Sequence, residues 1–139
     1  MIGAVAHAVV PSGSNGISNN KYGVFSRINF SYDLSENKNL GANIGYNNYD
    51  LRFDEEGLVR DQDGNFIYTL VYGVGISDRV GMYVEAFGDY VNMDFWQNNM
   101  NAGMTYLLKE NIQLDYSYGW GLDRDMNFQS VGISIRLPK

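Results

Sequence analysis

Few residues in this sequence could do chemistry, and their types limit what that chemistry would be. Cys is absent, which excludes disulfides and thiolate metal sites. His7 is the only histidine. A lipid-acting hydrolase would need a Ser and an acid converging on it, but His7 lies in the apolar run MIGAVAHAVVP, where a packed or interfacial histidine is the simpler reading. Asp61-Gln62-Asp63-Gly64-Asn65 has the first half of a calcium-loop pattern without its distal bidentate Glu. Asp-Gly chemistry at a hairpin tip explains it better. Phe95-Trp96 reads as a loop pair anchoring at a membrane interface. There remain Arg27, Glu85, Asp89, Asp115 and Arg136, charges of both signs set among small polar residues. Their chemistry is electrostatic: ion pairs that fill an interior, or a polar constriction that selects solutes. No catalytic residue, metal site or cofactor is expected, and the chain is not read as an enzyme.

Positioning these charges requires strands. The stretch IQLDYSYGWGL (112–122) alternates Ile112, Leu114, Tyr116, Tyr118 and Trp120 with Gln113, Asp115, Ser117, Gly119 and Gly121. A period of two puts the sets on opposite faces of a strand. Eight such segments can be marked, at 2–10, 22–34, 40–49, 66–77, 80–91, 99–108, 112–122 and 128–137. They exceed the ~5–6 residues of an ordinary soluble strand and match the ~9–11 of a tilted transmembrane strand. Pro11 and Pro138 fall just past the first and last segments, where a missing amide donor does least harm.

The apolar parity carries no charge and includes Leu70, Tyr72, Leu114, Tyr116, Tyr118 and Trp120, which are expected to face lipid. Arg27, Glu85, Asp89, Asp115 and Arg136 share the other parity and are expected to form a polar network in the lumen, with Asp115 near Arg136 and Glu85 within reach of either Arg. Phe25, Tyr83 and Phe87 point the same way and would fill an eight-stranded interior, leaving at most a narrow conductance. A soluble, lipocalin-like barrel with the apolar face inward is the alternative. Its outer face should carry long charged side chains, yet all four Lys, at 21, 38, 109 and 139, fall in turns or at the terminus.

At 139 residues the chain is read as a single domain spanning 1–139. A net charge of −6 argues against nucleic acid as a partner. No stretch approaches the ~18 apolar residues of a transmembrane helix, which leaves a barrel open. The N-terminus lacks a basic region and a small-residue cleavage site and is not read as a signal peptide. Links after segments 2, 4 and 6 are short (LSENKNL, ISDRV, LLKENIQL), whereas those after 1, 3 and 5 are longer. That asymmetry is the outer-membrane pattern, and an even strand count puts both termini in the periplasm. The expected architecture is therefore all-β: an eight-stranded antiparallel up-and-down transmembrane β-barrel, closed so that no edge meets lipid. Its partners would be a lipid bilayer or detergent and a small-molecule solute, with the chain a monomer.

DRVGMYVEAFGDY (78–90), NAGMTYLLKENIQLDYSYGWGL (101–122) and VGISIRL (131–137) resemble the C-terminal half of a family of bacterial outer-membrane transporters linked to meta-pathway phenol degradation. Glu85, Gly103, Tyr106, Leu107, Gln113, Leu114, Asp115, Gly132, Ser134 and Arg136 carry the match, and VVPSG (9–13) carries it more weakly. The resemblance implies a porin-like, passive small-solute barrel that takes aromatic compounds. Two departures stand out: family members usually have more strands, and this chain ends Leu137-Pro138-Lys139 rather than on an aromatic. They suggest a truncated or redesigned barrel.

Overall fold

The computed structural model describes residues 1–10, 12, 22–54, 57–60 and 64–137, with side chains outside 49–54 and 57–60. Nine strands follow one another: β1 (Ile2–Val9), β2 (Tyr22–Ser35), β3 (Lys38–Asp54), β4 (Gly57–Arg60), β5 (Gly64–Gly75), β6 (Val80–Val91), β7 (Phe95–Lys109), β8 (Ile112–Gly121) and β9 (Asn127–Ile135). Eight form one antiparallel path, β1-β2-β3-β5-β6-β7-β8-β9, and β4 is a spur on β3. The architecture is the expected eight-stranded antiparallel up-and-down sheet. No described residue is helical, and no helix is long and apolar enough to cross a membrane.

Three expectations are corrected. The ring is not closed: β1 and β9 each pair with one neighbour only among the described residues, so the ladder β1–β9 is missing. The path of eight strands runs unbroken from one edge strand to the other. The stretch DLRFDEEGLVR is not a plain loop, because Leu51–Asp54 of β3 pairs with Gly57–Arg60 of β4 as an extended ribbon. The third concerns Phe95 and Trp96, which open β7 and pair with Val91 and Tyr90 rather than sitting in a loop. The link before them tightens to Asn92-Met93-Asp94, with φ of 48° and 56° at Asn92 and Met93 and a 2.9 Å bond from the Asp94 amide to the Val91 carbonyl. Two successive left-handed residues give the turn a twist that suits a hairpin. Asn92 tolerates that conformation, whereas Met93 bears its steric cost.

The turns at the other end are short, as expected. Glu36-Asn37 and Glu110-Asn111 each join two strands directly. At 76–79 the Ser77 hydroxyl accepts from the amides of Arg79 and Val80 at 3.4 and 3.2 Å, capping the turn with a local side-chain bond. Asn37 exchanges bonds with Gly75, its carbonyl accepting at 2.7 Å and its Nδ2 donating at 3.3 Å, which ties the first short turn to the end of β5. Pro11, Lys21, Pro138, Lys139 and the run Asp61–Asp63 lie outside the described residues.

Burial is inverted relative to a water-soluble protein. Among the described residues no apolar side chain is buried, and the four buried side chains are Asn47, Asn48, Asn101 and Ser117. The chain exposes 10180 Å² at 15.7 kDa, against about 7,300 Å² for a compact soluble monomer of that mass. Val24, Ile28, Phe30, Ile44, Leu70, Val84 and Met104 are all exposed. Together they make an apolar exterior far beyond the few hundred Å² a soluble monomer tolerates.

Candidate functional site: the polar inner face

The register sets which side chains meet on the inner face. Arg27 lies opposite Gly45, Tyr83 opposite Gly103, Asp115 opposite Gly132 and Phe128 opposite Gly119. In each pair the large side chain lies over its glycine. A Cβ at Gly45 would come within 2.6 Å of Arg27 Cδ, one at Gly103 within 2.6 Å of the Tyr83 ring, and one at Gly132 within 2.6 Å of the Asp115 carboxylate. The glycines are therefore floor space for a neighbour's side chain, which keeps the interior thin enough for a tightly curved sheet.

Of the five charges expected in the lumen, four lie on the inner face of their strands and are half-buried: Arg27 on β2, Glu85 and Asp89 on β6, and Asp115 on β8. Glu85 accepts from Asn101 Nδ2 at 3.3 Å across β6 and β7. The Arg27 guanidinium donates to the Ser26 carbonyl at 2.9 Å. It also acts electrostatically on Asp89, although two strands, β3 and β5, lie between β2 and β6 along the sheet path. The two stand at one level of the sheet, since Arg27 lies opposite Gly45, Gly45 opposite Ile67 and Ile67 opposite Asp89. Arg136 is placed differently. It lies one residue past β9, is exposed, and its amide bonds the Asn111 carbonyl at 2.9 Å in the β7–β8 turn. Asp115 pairs with Gly132, four residues back along the strand, so roughly 13 Å of extended chain separates their levels. The structure does not bring Arg136 and Asp115 together.

Neutral polar pairs complete the face. Asn43 Nδ2 donates to Thr69 Oγ1 at 2.7 Å between β3 and β5. Asn101 is 8% exposed and its Oδ1 is buried without a partner, an acceptor left for a water or a solute donor. Between β3, β5, β6 and β7, toward the short turns, a cavity of about 580 Å³ is lined by Asn39, Val71, Tyr83, Glu85 and Thr105 among others. A space walled by polar and apolar groups alike, beside one carboxylate, can hold a small hydrogen-bonding molecule, but no nucleophile and base converge there. His7 lies on β1 opposite Phe25, at the open edge. Sequence parity puts Asn43, Thr69 and Asn101 on the polar face without singling them out, because their significance depends on which residues face one another across strands.

The outer face carries Leu70, Tyr72, Leu114, Tyr116 and Tyr118, all exposed, with Trp120 half-buried by stacking on Tyr118 at 6.1 Å. Trp96 stacks on Tyr90 at 4.9 Å and meets Tyr68 and Phe66 edge-on at 5.8 and 6.4 Å. The Tyr68 hydroxyl donates to Asn98 Oδ1 at 2.6 Å, and Asn98 Nδ2 donates to Asp123 at 2.9 Å. This cluster sits at the end of the strands away from the short turns.

Comparison with known proteins adds three findings. No curated protein matches the chain. A solved structure described as "De novo design of transmembrane beta-barrels" aligns over 98% of this chain and 92% of its own, at 18% identity and a TM-score of 0.45. The third is a family match over residues 1–137, which takes in the first four segments as well as the last four. The chain belongs to the family described as "Putative MetA-pathway of phenol degradation".

Proposed function

We propose that the protein sits in a bacterial outer membrane as a monomer, both termini on the periplasmic side, and gives small solutes a passive route of at most narrow conductance. The observation that carries this reading is the inversion of burial: an apolar exterior around an interior whose buried side chains are Asn and Ser. Water cannot stabilise such an exterior, whereas lipid can. Tyr68, Tyr90, Trp96 and Trp120 at one end of the outer face, with Tyr32, Tyr72 and Tyr106 toward the other, supply girdles for the two interfaces. Short turns on the side of the termini favour a periplasmic placement. The family description favours aromatic compounds as solutes, and the cavity beside Glu85 is of a size to admit one. The role proposed is that of a conduit, for which the inner face offers positioned polar groups such as Asn43 with Thr69 and Asn101 with Glu85.

Planar-bilayer recording on the purified, detergent-folded protein tests this. Small discrete conductance steps are expected, with cation preference reduced by Glu85→Gln, which keeps an acceptor for Asn101 while removing the charge. Wide-pore conductance would contradict the narrow interior, and a silent bilayer would reduce the protein to a structural barrel. Solubility as a monomer in plain buffer would overturn the membrane reading itself.

A further inference from the structure

The two open edges are built to meet. Following the ladders, Ile2 is level with Phe30, Ala42, Leu70, Ala86, Met100, Trp120 and finally Asn127. From that row β1 runs entirely toward the long connections, and β9 runs entirely toward the short turns. A flat sheet would leave them end to end. A coiled sheet brings them side by side if it advances eight residues per turn, the span from Asn127 to Ile135. An eight-stranded barrel with a shear of eight has strands tilted by about 36°, within the range closed barrels use.

We propose that in lipid β1 and β9 pair antiparallel with Ile2 opposite Ile135 and Val9 opposite Phe128, closing the barrel within one chain. Three features select this register. The shift is even, so the apolar row of β1 joins the apolar row of β9. It pairs every residue of β1 (8 residues) with a residue of β9 (9 residues) and leaves one residue over. A register two residues either way would strand one end of β9 or require Arg136 and Leu137, which lie beyond it. The side chains also fit. Outside, Ala4 and Ala6 lie against Ile133 and Val131; inside, Val5 comes opposite Gly132 and Gly3 opposite Ser134, so that neither pair sets two large side chains against each other. Open edges are costly in hydrocarbon, where no water can satisfy backbone amides and carbonyls. In the closed register His7 faces Ser130, which itself pairs with Ser117, so the lone histidine joins the polar interior.

The absence of Cys makes the test direct. In Ala6→Cys/Val131→Cys the two sulfurs are directly opposite, within bridging distance; in Ala4→Cys/Val131→Cys and Ala8→Cys/Val131→Cys they are two residues out of register and too far apart. After detergent folding and mild oxidation, the first pair is expected to give an intramolecular disulfide, and the other two to react about tenfold more slowly or not at all. A faster out-of-register pair overturns the register. Disulfide-linked dimers in place of the internal bond overturn closure in favour of a second copy. Should the variants fold poorly, hydrogen exchange on the unaltered protein decides: peptides from β1 and β9 as protected as those of β5 and β6 support closure, and rapid exchange at both edges overturns it. Loss of closure with retained insertion into detergent would leave the membrane reading intact.

Discussion

Leu70 and Val71 are adjacent on β5 and point to opposite sides, so a single charge moved by one residue tests which solvent each face meets. Leu70 is 49% exposed on the apolar face, between Ala42 and Ala86. Val71 is half-buried on the inner face, between Gly41 and Glu85. In a bilayer, Arg at a lipid-facing site near the midplane costs about 2–4 kcal/mol. On a water-exposed face the same change would stay within roughly 0.5 kcal/mol, since exposed substitutions rarely do more. Val71→Arg keeps an aliphatic stem over Gly41 and sets its guanidinium beside the Glu85 carboxylate, so its cost should remain below about 1 kcal/mol. At about 3 kcal/mol, Leu70→Arg lowers the folded-to-unfolded ratio roughly 150-fold. Urea unfolding in lipid vesicles, followed by the fluorescence of Trp96 and Trp120, measures both variants against the parent. Equal costs for the two neighbours, or a larger cost for Val71→Arg, would refute the assignment of faces.

Other expectations follow from single contacts. Met93→Gly should stabilise the protein by about 1 kcal/mol, because φ of 56° costs a side-chain-bearing residue about that much; an unchanged midpoint would mean that the turn is not under strain. Gly45→Ala should destabilise by about 1–3 kcal/mol, since the new methyl meets the Ser26 carbonyl as well as the Arg27 stem, and backbone cannot step aside as a side chain can. Gly132→Ala meets only the end of the Asp115 side chain and should cost less than Gly45→Ala in the same denaturation series. Tyr68→Phe removes the bond to Asn98 and should cost about 1 kcal/mol. Asn98 would remain held by Asp123, so the local β7 amides should keep their hydrogen-exchange protection.

How much was legible depended on how cleanly each segment alternates. β8 was readable nearly outright: strict alternation from Ile112 to Trp120 gave its start, its end to within one residue, and its faces, and Leu114, Tyr116 and Tyr118 are exposed as that parity requires. The outer half of β3 was hidden because Asp54 and the charges around it resemble a solvated loop, yet backbone pairing with β4 needs no apolar periodicity. Phe95 and Trp96 were misplaced because Asn92-Met93 is not the Asn-Gly pair that announces a hairpin; a left-handed Met carries no sequence signal. Arg136 kept the parity of its strand one residue after the strand had ended, and parity has no meaning there. The glycine floors at Gly45, Gly103 and Gly132 were equally out of reach, since they exist only in combination with the residue opposite.

Every ladder of the main path joins strands that are neighbours in sequence, interrupted only by the β4 spur. The chain can therefore assemble as a zipper, each new hairpin adding to an edge already formed and each step closing a loop no longer than the twelve residues between Val9 and Tyr22, at small entropic cost. Such a chain needs no pairing between strands distant in sequence until the path is complete. The slow encounter between distant segments is deferred to the end. By then the segments that must meet are the rims of one curved ribbon rather than the ends of a coil.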